Sequence, residues 1–322
     1  MGDKQPQGMA TKGMPEGPEI PDKSQVDTSQ KAGGQPGLQR DMQAQPVSDK
    51  LPTQHGDQDV LTLEAYKGVG KFRGKVAIVT GGDSGIGRSV ALLLAKESAK
   101  AVAIVHLPKE QPDADEAKKL IEAEGVEAML IPADLSEGEE ACRCIVEQVV
   151  QKHGQINVLI NNAAIQYIVP SITETTPEIV EDTFKTNIFP LFYLTKHAVP
   201  HMPRGSAIVN STSVTAYQGS KSLLEYSATK GAIVAFTRSL AGQLAPQGIR
   251  VNGVAAGPIW TPLNPASRDQ ENLEGWLSKE PPLGRIGQPI EAATSYLFLA
   301  GQESSYMTGQ VLHPNGGYVV NG

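Results

Sequence analysis

The chain has 322 residues and a net charge of −7, with acidic and basic residues interspersed and a sequence pI of about 5.5. This balance offers no basic face for nucleic acid, and no apolar run approaches the length of a membrane span. The cysteines, Cys142 and Cys144, are too few for a disulfide framework or a zinc site, so we expect reduced thiols in a cytoplasmic protein without metal.

Residues 1–60 form a polar N-terminal extension that is rich in Gly, Pro, Gln, Asp and Lys and poor in aromatic side chains. Such a segment buries too little apolar area to offset its chain entropy, so we expect it to be largely disordered. An ordered arm that wraps a neighbouring subunit is the alternative. Residues 61–322 are expected to form a single domain.

From Lys75 onward, short apolar runs alternate with amphipathic stretches, which is typical of βαβ units. The pattern predicts strands at 76–80, 101–105, 128–131, 158–160, 207–210, 250–255 and 310–312. It predicts helices at 85–99, 114–124, 137–153, 177–199, 224–244 and 290–300. Because parallel crossovers are right-handed, we expect an α/β fold, a doubly wound parallel seven-stranded sheet of the Rossmann type. Ligands of such sheets bind at the carboxyl ends of the strands.

The first predicted strand leads into a glycine-rich turn and then a helix, in the sequence KVAIVTGGDSGIGRSVA. That order places backbone N–H groups and the positive end of a helix dipole where a phosphate binds. Gly81 permits the tight turn, Gly85 lets the backbone approach a pyrophosphate, and Gly87 lets helix and strand pack closely. The other turn residues predicted to bind a dinucleotide are Asp83, Ser84 and Ile86.

The pattern Tyr-x-x-x-Lys occurs at Tyr217…Lys221 and at Tyr226…Lys230. Only the second pair opens a long amphipathic stretch, which places both side chains one turn apart on a helix. A lysine about 4 Å from a phenol is worth on the order of 4 kcal/mol at an effective dielectric near 20, or roughly three pKa units. The sequence therefore predicts that Tyr226 is an acid/base with a pKa near neutrality, and that Lys221 is solvated.

The glycine spacing, the Tyr226…Lys230 pair and the upstream Ser213 resemble the short-chain dehydrogenase/reductase superfamily. Closer still, the segments GGDSGIGR, YSATK and GPIWTPL and the polar extension resemble its glucose/ribitol dehydrogenase-like subgroup, which is similar to bacterial aldehyde reductases. The resemblance implies NAD(P)-dependent interconversion of a small-molecule carbonyl, aldehyde or ketone, and an alcohol by hydride transfer. It also implies a homo-tetramer.

The same resemblance implies roles for single residues. Tyr226 is the catalytic acid/base, Lys230 also bonds the nicotinamide ribose, Ser213 holds the substrate oxygen, and Asn187 steadies a relay water. Asp134 is expected at the adenine, unless it only caps the next helix. The remaining coenzyme positions are Leu135, Asn162, Ala163, Ala164, Pro258, Ile259 and Thr261.

The choice of coenzyme depends on the end of the second predicted strand, Val105-His106-Leu107-Pro108-Lys109. An NAD enzyme carries an acidic residue there, and this chain does not. His106 and Lys109 would tolerate or attract a 2′-phosphate, although Ser84 stands where many NADP-preferring relatives carry a basic residue. NADP is therefore the predicted coenzyme, with NAD as the alternative.

The substrate pocket is predicted between the catalytic strand end and a segment from 260 to 282 that closes as a lid. Its predicted lining residues are Gln166, Tyr167, Val214, Tyr217, Gln218 and Trp260. Other functions on the same fold are a non-catalytic dinucleotide-binding sensor or scaffold, a specialised biosynthetic ketoreductase, and a dehydratase or epimerase.

Overall fold

A computed structural model describes residues 34–54, 61–277 and 281–320. Its strands are β1 (Lys50–Gln54), β2 (Leu61–Ala65), β3 (Val76–Thr80), β4 (Ala101–His106), β5 (Glu127–Pro132), β6 (Val158–Asn161), β7 (Ala207–Ser213), β8 (Arg250–Ala256) and β9 (Val311–Leu312). Its α-helices are α1 (Gly85–Lys96), α2 (Gln111–Ala123), α3 (Glu139–His153), α4 (Pro177–Asn187), α5 (Phe189–Ala198), α6 (Thr215–Gln218), α7 (Leu224–Leu244), α8 (Leu263–Ser267), α9 (Gln270–Leu277) and α10 (Pro289–Ala300).

The strands β3 to β9 form one parallel sheet in the order β5-β4-β3-β6-β7-β8-β9. Val79 of β3 pairs with Ile104 of β4 on one side and Ile160 of β6 on the other. The strand order reverses at β3, and a crevice for ligands opens at such a switch point. The predicted doubly wound, seven-stranded sheet is confirmed.

Both faces of the sheet are covered, as the apolar composition of its strands requires. Successive side chains of a strand point to opposite faces, so β3 contributes to two separate cores. Ala77 and Val79 pack in a core with residues of α1 and α10, while Val76 and Ile78 pack in a core with residues of α3 and α7. All four are buried. This packing fixes the carboxyl end of β3, from which the glycine turn departs.

The predicted helix over 177–199 is two helices, α4 and α5, that meet at Ile188. Pro190 lies in the first turn of α5, where its missing N–H costs nothing. Inside a continuous helix the same residue would remove a hydrogen bond and clash with the preceding turn. The short helices α6, α8 and α9 lie in stretches that carried no helical prediction.

The expected disorder of the extension does not hold for residues 34–54, which contact the domain of their own chain. β1 pairs antiparallel with β2, so the predicted boundary at residue 60 falls between two paired strands. Met42 is buried in a cluster with Trp260 and Leu273, and Ile290 N–H donates to the Val47 carbonyl at 3.3 Å. We call residues 34–48 the N-terminal strap. Residues 1–33 and 55–60 lie outside the described residues.

Candidate active site

Adjoining cavities lie along the carboxyl edge of the sheet. The first, about 360 Å³, is lined by the turn between β3 and α1 and by the ends of β4, β5 and β6, and we call it the glycine-turn cavity. The second, about 1230 Å³, is lined by the end of β7, the start of α7 and segment 256–276, and we call it the tyrosine cavity. Residues that line both are Ile86, Asn162, Ala164, Thr261 and Leu263.

The glycine turn has the local geometry that its sequence predicts. Gly81 (φ 60°) and Gly85 (φ 51°) both adopt the left-handed conformation that favours glycine. A Cβ on Gly87 would overlap the carbonyl oxygen of Gly81, so close packing of α1 on β3 requires glycine there. Gly87 does not line either cavity, whereas Asp83, Ser84 and Ile86 line the glycine-turn cavity.

Amide side chains brace the strand ends beside this turn. Asn161 Nδ2 donates to Asn210 Oδ1 at 2.9 Å, which links β6 to β7. Asn162 Nδ2 donates to the Thr80 carbonyl at 3.0 Å and so links β6 to β3. Asp134 lines the glycine-turn cavity, but its Oδ1 also accepts from Ser136 N at 2.9 Å, so it is a helix cap as well. Leu135, Ala163 and Ala164 line the same cavity.

Unpaired buried acids lie in the glycine-turn cavity. Among the described residues, neither carboxylate oxygen of Asp83 nor Oε1 of Glu110 has a hydrogen-bond partner. Burial raises the pKa of Asp83 to about 6 and that of Glu110 to about 8. Glu110 was missed because it lies past the strand tip and folds back, accepting from Leu107 N at 3.0 Å. At neutral pH, Glu110 is therefore mostly protonated.

The residues predicted to attract a 2′-phosphate bring no positive charge into this cavity. His106 lines it, but burial lowers the pKa of the imidazole, so the neutral ring is favoured. Lys109 Nζ donates to the Gln35 carbonyl at 2.6 Å and does not line the cavity. The prediction that His106 and Lys109 attract a 2′-phosphate is therefore corrected. Desolvation favours the neutral form of His106, and the Gln35 carbonyl binds Lys109.

The N-terminal strap contributes to the glycine-turn cavity directly. Gln35 and Pro36 line it, and Gln39 Oε1 accepts from Gly85 N at 2.8 Å. The strap is itself held by α2, since Gln39 N donates to Asp113 Oδ2 at 2.5 Å. No sequence signal marked these glutamines, because they lie in a polar segment without periodicity.

The glycine-turn cavity fits the adenosine and pyrophosphate of a dinucleotide. A side chain on Gly85 would narrow the gap to Thr261, because its Cβ would lie 3.1 Å from Thr261 Cγ2. The N-terminus of α1 faces the same space and favours an anion. The unpaired oxygens of Asp83 are acceptors for hydroxyl or amino groups.

The tyrosine cavity brings together three residues predicted to be catalytic. Ser213, Tyr226 and Lys230 line it, and all three are buried. Lys230 Nζ donates to the Ser211 carbonyl at 2.9 Å and lies 5.2 Å from the centre of the Tyr226 ring. Pro258, Ile259 and Thr261 line the same cavity, beside the shared edge with the glycine-turn cavity.

The predicted near-neutral pKa of Tyr226 is corrected by burial. Desolvation raises the pKa of Tyr226 to about 12, although the Ser213 hydroxyl and the Arg268 guanidinium act in the opposite direction. Desolvation also lowers the pKa of Lys230 to about 7. The predicted pKa included the attraction of an ammonium for a phenolate, but not the free-energy cost of burying either charge.

Besides Gly87 and Lys109, the predicted site residues Asn187, Trp260 and Tyr217 line neither cavity. The Asn187 amide is used within the protein, accepting from Ile165 N at 2.9 Å and donating to the Ile165 carbonyl at 2.9 Å. Trp260 is buried, and its Nε1 donates to the Ala44 carbonyl of the strap at 2.9 Å. Tyr217 packs edge-on against His313, with ring centres 4.8 Å apart.

The other predicted substrate residues are divided between the cavities. Gln166, Val214 and Gln218 line the tyrosine cavity, whereas Tyr167 lines the glycine-turn cavity. Lys221, expected in solvent, is exposed and also lines the tyrosine cavity. Gln166, Val214 and Gln218 therefore share a cavity with Ser213, whereas the aromatic residues Tyr167, Tyr217 and Trp260 do not line it.

Sequence reasoning missed Arg268, which lines the tyrosine cavity and is only 6% exposed. Its Nη1 donates to Asn264 Oδ1 at 2.9 Å and to Ser267 Oγ at 3.1 Å, and its guanidinium lies over the Trp276 ring. Burial lowers the pKa of Arg268 to about 10. The sequence signal that could have identified it is that Arg268 is the sole arginine of the segment 260–282.

Among residues 34–54, 61–277 and 281–320, no group of three or more His, Cys, Asp or Glu side chains could hold a metal ion. None of the helices in these ranges is both long enough and apolar enough to cross a membrane.

Comparison with known proteins gives consistent matches. The family model described as Enoyl-(Acyl carrier protein) reductase matches residues 81–319. NADPH-dependent aldehyde reductase 1, chloroplastic, of Arabidopsis thaliana is 50% identical over 297 residues, which cover 91% of this chain and 98% of that protein. The glucose and ribitol dehydrogenase of Daucus carota is 50% identical over 261 residues, covering 80% and 89%. A short chain dehydrogenase from Burkholderia cenocepacia, solved in complex with NADP, has a TM-score of 0.71 and 31% identity, covering 77% of this chain and 98% of that one.

Proposed function

Because the chain belongs to the short-chain dehydrogenase/reductase family, we propose that it is an NADP-dependent oxidoreductase that interconverts an aldehyde or ketone and the alcohol. The observation that carries the proposal is the convergence of Ser213, Tyr226 and Lys230 on one cavity that adjoins the glycine-turn cavity. A carbonyl in the tyrosine cavity then lies beside both a proton donor and the nicotinamide end of a coenzyme.

The chemistry divides between the coenzyme and the chain. Bound NADPH supplies the hydride to the carbonyl carbon. Negative charge then develops on the carbonyl oxygen, and the Tyr226 hydroxyl donates its proton to that oxygen while the Ser213 hydroxyl donates a hydrogen bond. Lys230 would hold the nicotinamide ribose of a bound coenzyme and, when protonated, stabilises the phenolate that Tyr226 becomes.

The pKa values of this pair favour reduction at neutral pH. A Tyr226 pKa of about 12 keeps the phenol protonated, which is the form that reduction needs. Alcohol oxidation needs the phenolate, so the rate of oxidation is expected to rise as pH approaches about 12, whereas the rate of reduction is not expected to rise with pH.

Two observations support NADP over NAD. The Arabidopsis relative is named as NADPH-dependent, and the Burkholderia structure contains NADP. Within this chain, Glu110 lines the glycine-turn cavity, and burial raises the pKa of its carboxyl, which lessens the repulsion that a charged carboxylate would exert on a 2′-phosphate. Supporting residues along the coenzyme path are Gly81, Ser84, Gly85, Ile86, Asp134, Asn162 and Thr261.

We also propose a homo-tetramer in the cytoplasm. Phe189 (42% exposed) and Phe192 (53% exposed) leave an apolar surface on α5 that a second copy would cover. Ile233 of α7 is buried within its own chain and is not part of this surface. Cys142 and Cys144 are free thiols, as a reducing compartment permits.

The test is NADPH oxidation against a panel of aldehydes and ketones, with Tyr226→Phe and Tyr217→Phe compared. Removing the Tyr226 proton donor is expected to lower kcat/KM by roughly 10²- to 10⁴-fold while NADPH binding, followed by its fluorescence, is retained. Tyr217→Phe is the matched control, because Tyr217 also precedes a lysine but lines neither cavity.

Full activity of Tyr226→Phe would refute the mechanism. Tight NADPH binding by the unmodified chain without turnover of any carbonyl would instead favour a dinucleotide-binding sensor or scaffold. A kcat/KM for NADH equal to or above that for NADPH would refute the coenzyme assignment.

A further inference from the structure

Arg268 is a buried cation without a buried anion. It is 6% exposed, and among the described residues no Asp or Glu forms an ion pair with it. Its protein partners, Asn264 and Ser267, are neutral hydrogen-bond acceptors at 2.9 and 3.1 Å. A guanidinium removed from water without a carboxylate is costly, and such groups are retained where they bind something.

The position of Arg268 points to the substrate rather than to the coenzyme. It lines the tyrosine cavity and not the glycine-turn cavity, where the pyrophosphate fits. It lies close enough to Tyr226 to act on the phenol electrostatically, so it shares the space in which a carbonyl must sit. The ring of Trp276 lies under the guanidinium, 5.1 Å from its central carbon, and restricts its orientation.

The other charged residues that line the tyrosine cavity do not neutralise Arg268. Glu271 and Lys221 are exposed, so water screens both. Lys230 is committed to the Ser211 carbonyl and to Tyr226. The cavity therefore has a fixed, desolvated positive group on the side of α8 and α9, and a planar guanidinium of this kind binds carboxylate or phosphate through paired N–H donors.

We propose that Arg268 is a specificity-determining residue and that the substrate is a carbonyl compound bearing an anionic oxygen group, a carboxylate or a phosphate, at the end remote from the carbonyl. The inference rests on the proposed function for the carbonyl and on Arg268 alone for the anion. The bound anion replaces the missing counter-charge of Arg268 and holds the reactive carbon at Tyr226.

The test compares matched pairs of aldehydes that differ in charge. 4-Carboxybenzaldehyde is paired with its methyl ester, and glyceraldehyde 3-phosphate with glyceraldehyde, so that the two arms distinguish carboxylate from phosphate. The unmodified chain is expected to favour the anionic member of one pair by roughly 10- to 100-fold in kcat/KM. In Arg268→Met that ratio is expected to fall to about one.

Lys221→Met is the matched control, since Lys221 is a cation lining the same cavity but exposed to solvent. Its ratio is expected to stay within about twofold of the ratio of the unmodified chain, because exposed charges are screened. If Lys221→Met removes the preference and Arg268→Met does not, or if neither pair shows a preference, the proposal is wrong.

A binding measurement separates this proposal from the proposed function. With the chain saturated by NADP, which carries no hydride to donate, each aldehyde is titrated and Trp276 fluorescence is followed beside the guanidinium. Tighter binding of the anionic member, lost in Arg268→Met, supports the anion site even if no carbonyl is turned over. Equal binding of both members refutes it even if turnover is fast.

Discussion

The glycine-turn cavity and the tyrosine cavity are built by different means. The first is lined by the turn after β3 and by the ends of β4, β5 and β6, with glycines at 81 and 85 in conformations that only their lack of a side chain makes easy. The second is formed by side chains of Ser213, Tyr226, Lys230 and Arg268, which come from β7, α7 and the segment before α9. The conformation of a turn is determined by a short stretch of sequence, whereas a site made of buried side chains depends on how distant segments pack together.

Burial also shifts pKa values in opposite directions in the two cavities. Asp83 and Glu110 are acids whose burial raises their pKa values, and Lys230 and Arg268 are bases whose burial lowers theirs. Burying these groups therefore lowers the stability of the ligand-free protein, and a ligand of matching chemistry reduces that cost.

The largest effect is expected from Gly87→Ala, which tests whether the glycine-turn cavity depends on backbone packing. The new Cβ would overlap the Gly81 carbonyl and lie 2.7 Å from Asn162 Nδ2. Because backbone on both sides must shift, we expect a loss of roughly 3 kcal/mol or more in the free energy of unfolding, measured by urea denaturation.

Gly242→Ala in α7 is the control, since nothing lies within 4 Å of its added methyl group. It is expected to be neutral or to stabilise by up to about 1 kcal/mol through helix propensity. Wild-type stability and NADPH affinity in Gly87→Ala would show that the turn tolerates a side chain.

A smaller effect, with opposite signs for the two cavities, is expected in the pH dependence of stability. The folded-state pKa of Glu110, about 8, exceeds its unfolded value, so its contribution makes stability fall as pH rises from about 4.5 to 8. The folded-state pKa of Lys230, about 7, is below its unfolded value, so its contribution makes stability rise from pH 7 to about 10. Unfolding midpoints of Glu110→Gln and Lys230→Met across this range measure both.

Each variant should flatten only its own part of the profile, by on the order of 2 kcal/mol. Glu110→Gln should stabilise the chain near pH 8, and Lys230→Met should stabilise it near pH 7 while abolishing turnover. A Lys230→Met chain that is less stable than wild type at pH 7 would mean that Lys230 is charged and paired in the folded state.

The smallest effect is expected from Gln39→Ala, which removes the strap's hydrogen bond to Gly85 N. The turn would then be less well held, so the KM for NADPH should rise by roughly five-fold, as expected for one hydrogen bond, with little change in kcat. Arg40→Ala is the control, because the Arg40 side chain is about half exposed and forms an ion pair with the exposed Asp41. A fall in kcat without a change in KM would assign Gln39 to the tyrosine cavity instead.

Prediction from the sequence was successful where structure is local. Every predicted strand is present, and the bounds of α7 are those of its pattern, because alternation and helical spacing are properties of neighbouring residues. The prediction of one helix over 177–199 was wrong at Pro190. The effect of a proline depends on whether it lies in the first turn or in the interior of a helix. Trp260 was assigned to the substrate because aromatic residues often line pockets, but the strap covers it.

By itself the sequence determined the sheet, the glycine turn and the order in which Ser213, Tyr226 and Lys230 reach the carboxyl edge. Tertiary structure alone decided the charges of the site, by burying Glu110, Tyr226, Lys230 and Arg268 to different extents. It also decided that Gln35 and Pro36 of the N-terminal strap line the glycine-turn cavity. The reason is that hydrophobic spacing and turn conformation act over a few residues, whereas desolvation depends on every segment that packs around a group.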